Sequence, residues 1–109
     1  MDLFNELQSK ILILNNKIKE LKSYGLDRAS AEQNYKIALA QFLAQEIANG
    51  KKVTVLSDLA RGQKNIAQLR FYRDSKQIIY DATLESIFAL KTEIRILETQ
   101  LKLEYGNSR

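Results

Sequence analysis

No proline occurs in the 109 residues, and only four are glycine. Proline removes a backbone donor and glycine loosens φ and ψ, so a chain nearly free of both can hold helices of many turns. Apolar residues recur at heptad spacing near each end of the chain. Leu7, Ile11, Leu14, Ile18 and Leu21 follow one another at steps of four, three, four and three. Ile87, Leu90, Ile94, Leu97 and Leu101 do so at three, four, three and four. Both runs are a/d seams, in which one stripe of a helix meets a neighbouring helix. Laid antiparallel, the two seams face each other. The expected fold is therefore all-α, a long coiled-coil-like antiparallel helical hairpin forming a single domain over residues 1–109.

The punctuation between the seams predicts a first helix over about 2–49, a tip over 50–63 and a last helix over about 64–105. Asp2 is placed to cap the first helix with its carboxylate. The first seam would continue at Gly25 and Arg28, so its register breaks there, and a continuous helix with a weak point is expected. A broader stripe follows in Tyr35, Ala38, Leu39, Phe42, Leu43, Glu46 and Ile47. Asn49-Gly50 is a helix stop, because glycine enters the left-handed region that closes the last carbonyls. Thr54 is expected to cap a short helix over 55–61 that ends at Gly62, although Val53-Thr54-Val55 also reads as a brief strand. In the last helix Ile66, Leu69, Tyr72, Ile79 and Ala82 make a less regular stripe upstream of the clean seam. Residues 106–109 read as a frayed end.

A two-helix hairpin buries only a narrow stripe. Leu12, Ile13, Ile37, Leu43, Ile78, Leu84 and Phe88 lie partly off the seams and suggest a second apolar face. Self-association through heptad seams is expected, most simply a dimer forming a four-helix bundle. The seam residues assigned to it are Leu7, Ile11, Leu14, Ile18, Leu21, Ile87, Leu90, Ile94, Leu97 and Leu101. A partner protein is the other occupant considered for that face.

Charge is uneven. The chain carries a net +4, yet 51–76 alone holds Lys51, Lys52, Arg61, Lys64, Arg70, Arg73 and Lys76 against Asp58 and Asp74. Basic groups neutralise phosphates and aromatics stack on bases, so Arg61-Gly62-Gln63-Lys64 and Arg70-Phe71-Tyr72-Arg73 are candidate nucleic-acid or partner contacts. The same residues also suit a solvated helical tip, with Arg70 and Arg73 pairing with Asp74 or Glu46 and Phe71 and Tyr72 in a core.

Catalytic chemistry has little to work with. There is no Cys and no His, which removes the commonest nucleophile, base and metal ligands. Asp81 and Glu85 share a helix face, but a bundle metal site ordinarily adds histidine. No metal site, no cofactor and no enzymatic activity is expected. The longest apolar run, Ile11-Leu12-Ile13-Leu14, is far short of the ~20 residues of a membrane span, and the N-terminus has no signal-peptide pattern. A cytoplasmic protein without membrane contact is expected.

From Tyr35 onward the wording resembles a known group. Tyr35-Lys36-Ile37-Ala38-Leu39-Ala40, Asn49-Gly50-Lys51-Lys52-Val53-Thr54 and Asp58-Leu59-Ala60-Arg61-Gly62 carry the likeness, as do Leu69-Arg70-Phe71-Tyr72-Arg73-Asp74 and Leu90-Lys91-Thr92-Glu93-Ile94-Arg95-Ile96-Leu97. They are similar to small uncharacterised helical proteins encoded by phages and prophages of Gram-positive bacteria, often near early replication and recombination genes. The resemblance covers about two-thirds of the chain, and residues 1–26 match less well. Lys52 stands where those proteins have proline before the Val-Thr pair. The resemblance brings no activity and no site residues. It implies a phage accessory role in the host cytoplasm, acting by binding. Prefoldin-like and secreted WxG-type hairpins share the outline, but the chain has no Trp. Three functions follow as expectations: a non-enzymatic accessory protein acting on a host or phage protein, a DNA- or RNA-binding accessory factor, or a structural or assembly component of the virion.

Overall fold

The computed structural model describes residues 2–107 and is all-helical, with no strand among the described residues. Three helices follow in order: α1 (Leu3–Ala48), α2 (Val53–Gly62) and α3 (Lys64–Asn107). The long helix α1 packs against α3. Their contacts fall into two compact units. Unit 1 joins α1 through Ser23 to α3 from Tyr80 onward, and unit 2 spans Tyr24–Ile79 and contains α2.

Helix α1 begins as its sequence requires. Asp2 accepts the backbone N–H of Asn5 on Oδ1 at 2.7 Å, satisfying one donor that the first turn leaves without a partner. It ends in a two-bond closure: the Gly50 N–H bonds Ile47 O at 3.0 Å and the Lys51 N–H bonds Glu46 O at 3.1 Å. That closure needs a left-handed residue, and Gly50 has φ +85°. Gly25 does not interrupt α1.

Within unit 1, Ile87, Ile94 and Leu97 of α3 are buried, while Leu90 and Leu101 are half-buried. Leu7, Leu14, Ile18 and Leu21 of α1 are half-buried. Ile11 departs from its expected place: it is 39% exposed, and Lys10 is half-buried in its stead, reaching Glu93 on α3 at 2.9 Å. A lysine stem can line a seam while its ammonium stays at the edge. The clean α3 seam is thus already used inside a single chain.

Unit 2 differs at three places from the sequence reading. Helix α2 starts at Val53, two residues before the expected start. Lys52 is its N-cap without a side-chain bond, and Thr54 lies inside the helix, which also excludes the strand alternative. Docking governs this helix rather than capping: Leu56 and Ala60 are each 1% exposed, and Ile66 of α3 is buried with them. Gly62 is the last residue of α2, and the chain leaves through extended Gln63 rather than through a left-handed glycine. The third departure is the α3 stripe. Tyr72, Ile79 and Ala82 are exposed; Ile66 and, beyond unit 2, Thr83 are buried, while Ala67, Leu69, Arg70, Arg73, Ser75, Lys76, Gln77 and, beyond unit 2, Tyr80 are half-buried. A helix keeps one register along its length, so the strong seam after Ile87 sets the face upstream as well, even where polar residues occupy it. At the far end α3 continues through Asn107, so Gly106 and Asn107 are helical; Ser108 and Arg109 lie outside the described residues.

Candidate functional site

All seven basic candidates fall in unit 2. Lys51 and Lys52 occupy the connection between α1 and α2, Arg61 the last turn of α2 and Lys64 the first position of α3. Arg70, Arg73 and Lys76 follow along α3. Three of them are engaged inside the unit. Lys51 reaches Glu46 Oε2 at 2.7 Å. That oxygen is buried and has no well-aligned hydrogen bond, so the ammonium charge beside it is what offsets its desolvation. Arg73 donates from Nε to Asp74 Oδ1 at 2.9 Å, holds its Nη2 2.9 Å from the same oxygen as an ion pair, and lays its guanidinium 4.4 Å from the centre of the Tyr35 ring. The hydrogen bond to Asp74 is the main reason the Arg73 pKa is raised further above its already high ordinary value. Lys76 lies 5.4 Å from the Tyr72 ring centre.

The other four are open. Lys52, Arg61 and Lys64 are exposed and Arg70 is half-buried, and none forms an ion pair among the described residues. The basic stretch therefore divides into an inner part, which pairs with Glu46, Asp74 and two tyrosines, and an outer part of four cations. The pairing expected between Arg73 and Asp74 is present; Glu46 takes Lys51 rather than Arg70 or Arg73.

Around Arg73 the contact between α1 and α3 is polar. Arg28 donates to Gln77 Oε1 at 3.3 Å, next to buried Ala31 and half-buried Glu32 and Tyr35. Phe71 and Tyr72, considered above as core, are 71% and 59% exposed. Ile78 and Ile79 are exposed with them, at 67% and 40%. Steps of seven bring Phe71 and Ile78, and Tyr72 and Ile79, onto one side of the helix. That spacing was available in the sequence as a second strip.

Unit 1 has its own outward strip. Ala89, Thr92, Ile96, Thr99 and Leu103 are all exposed at alternating steps of three and four. The Thr92 hydroxyl bonds Phe88 O at 3.1 Å and the Thr99 hydroxyl bonds Arg95 O at 3.0 Å. Both threonines thus satisfy their polar atoms on their own helix and turn methyl groups outward. Beside this strip lie Arg95 and Lys102 on one flank and Glu93 and Glu104 on the other, as 3.6 residues per turn requires.

The hollows on the surface are open grooves, and three of them are lined by one helix only, two of these being the larger ones. Asn5, Gln8, Ser9, Ile11, Leu12 and Asn15 of α1 line the first, and Thr92, Arg95, Ile96, Thr99 and Gln100 of α3 the second. A groove with a single wall cannot bury most of a small ligand. No group of three or more metal-ligating side chains gathers among the described residues. Among the described residues no helix is long and apolar enough to cross a membrane. Comparison with family models, curated proteins and solved structures finds no match to this chain.

Proposed function

We propose that this protein is a non-enzymatic accessory protein, of the phage type its sequence resembles, that works by binding a host or phage protein. The observation carrying this reading is the outward strip of α3 in unit 1. Ala89, Thr92, Ile96, Thr99 and Leu103 repeat the a/d spacing of a seam, yet they face away from the seam that α1 covers. Threonines with internally satisfied hydroxyls and small or branched neighbours make a surface that a second amphipathic helix can lie against. The flanking bases and acids would set that helix's direction rather than its affinity.

The test is recovery of a partner from host lysate on the immobilised protein, at low and at high salt. A complex that survives high salt and is lost in Ile96→Glu and Leu103→Glu supports the reading. A complex those changes leave untouched, or one that dissolves in salt, sinks it.

A second reading has its own support. Lys52, Arg61, Lys64 and Arg70 carry charge that no acid neutralises among the described residues. These four are the nucleic-acid candidates; Lys51 and Arg73 are paired with acids, and Lys76 lies against the Tyr72 ring. Retention of DNA or RNA that weakens linearly on a log–log salt plot, and disappears when the four become Glu, would favour this reading. No retention at low salt would remove it.

A further inference from the structure

The outward face of α3 in unit 2 carries four exposed apolar side chains within nine residues, Phe71, Tyr72, Ile78 and Ile79. Its middle is Ser75, half-buried between larger neighbours, on the side of the helix opposite Arg73 by the 100° rotation per residue. Phe71 and Ile78 form a ridge on one flank of Ser75, and Tyr72 and Ile79 form a ridge on the other. Asp74 lies beyond the first ridge and Lys76 beyond the second, as a rotation of 100° per residue requires. A small residue between two apolar ridges lets another helix approach closely.

We propose that a second copy of this chain covers this face, pairing α3 with α3 in parallel about a two-fold axis beside Ser75. The charges choose both the occupant and the direction. In a parallel pair, opposite flanks meet at the same height. Phe71 then packs on the partner's Tyr72, Ile78 on the partner's Ile79, and Asp74 stands beside the partner's Lys76 on both edges. In an antiparallel pair, like flanks meet, so Asp74 approaches the partner's Asp74 and Lys76 the partner's Lys76. Both Arg73 contacts fall on Oδ1 of Asp74, which leaves Oδ2 to accept from the partner's Lys76. The four apolar side chains present roughly 400 Å² per copy, taking about 150–250 Å² for each aromatic at full exposure. A stable interface buries about 800 Å² per partner, so this patch supplies its apolar centre and the affinity falls in the weak, micromolar range.

This inference is independent of the proposed partner strip in unit 1, and its test leaves that strip intact. Sedimentation velocity across a concentration series is the measurement, with circular dichroism confirming that each variant stays helical. The wild type is expected to pass from monomer to dimer, and Ile78→Glu to weaken the dimer at least about tenfold. Asp74→Lys and Lys76→Asp are each expected to weaken it, while the combined exchange in one chain restores it. The chain has no cysteine, so Ser75→Cys gives one unambiguous reporter, which should form an intermolecular disulfide faster than Ser57→Cys on α2. A monomer at every concentration overturns the proposal, as does a dimer indifferent to Ile78→Glu. A dimer that the charge exchange fails to restore overturns the parallel arrangement.

Discussion

The same two helices are held together differently in the two units. In unit 1 the covered positions are mainly aliphatic: Ile87, Ile94 and Leu97 of α3 are buried and Leu7, Leu14, Ile18 and Leu21 of α1 are half-buried, with the Lys10–Glu93 ion pair beside them. In unit 2 the α1–α3 contact runs through Arg28, Tyr35, Arg73 and Gln77, and the apolar burial moves to Leu56, Ala60 and Ile66 at α2. Register is common to both stretches; residue type is not. A heptad position therefore tells where a side chain lies, but not whether burying it stabilises. Where the seam turns polar, a third helix supplies the apolar surface that two helices lack.

The sharpest way to break this contrast is to make the unit 1 seam resemble the unit 2 seam. Leu97→Arg places a cation at a position 7% exposed. Loss of about 3–4 kcal/mol in urea unfolding is expected, from lost burial plus desolvation of the guanidinium. A loss under about 1 kcal/mol would mean that unit 1 tolerates polar residues as unit 2 does.

Ile66→Ala asks whether α2 supplies the core of unit 2. Ile66 is 1% exposed, like Leu56 and Ala60. Removing its branched end should cost about 3 kcal/mol, within the range for buried isoleucine. Hydrogen exchange of the α2 amides should rise with it, because a short helix has little stability of its own once undocked. Unchanged α2 protection would show that Ile66 does not hold that helix.

Gly50→Ala acts on unit 2 through the chain path alone. The added Cβ would meet nothing within 4 Å, so the whole cost comes from φ +85°. About 1 kcal/mol is expected by thermal or urea unfolding. The reciprocal of the first substitution, Arg73→Leu, should be smaller still, between neutral and about 1 kcal/mol stabilising. Asp74 is well exposed and is not left as a buried charge, and a leucine fits an a/d position. Strong destabilisation by Arg73→Leu would instead make the Tyr35 stack the main support of unit 2.

These particulars show what was legible in the sequence. The two clean seams apart from Ile11, the Asp2 cap and the Gly50 stop were readable because each depends on local spacing or on a single φ. The α3 stripe expected through Tyr72 and Ile79 differs from the structure for a physical reason: the helix continues its register through Arg73 and Gln77, where the covered residues are polar. The start of α2 was misread because docking of Leu56 and Ala60, which depends on distant residues, outweighed the local cap at Thr54. Among the basic candidates, sequence located the cluster but could not sort it. Lys51 and Arg73 are distinguished from Lys52 and Arg61 by Glu46 and Tyr35, and no spacing rule joins those residues.

The smallest expected effect separates the ion pairs of the two units. Lys10 and Glu93 meet at 2.9 Å with their side chains 32% and 48% exposed, while Glu46, bound by Lys51 in unit 2, is only 17% exposed. The hydrogen bond to Glu93 raises the Lys10 pKa above the ordinary lysine value. A folded-state pKa above the unfolded one means that the pair's contribution is fully present below the ordinary value, about 10.4, and is lost as pH rises through the folded value. The stability difference between wild type and Lys10→Met should therefore be flat from neutral pH to about 9 and shrink in stronger alkali. Added salt should shrink it too, since exposed charges are screened. The loss caused by Glu46→Gln should respond less to salt, because its carboxylate is shielded from solvent. Equal salt dependence for the two pairs would remove this distinction between the units, and a Lys10→Met difference that does not shrink at all as pH rises past the ordinary lysine value would mean that its stem, not its charge, is what unit 1 uses.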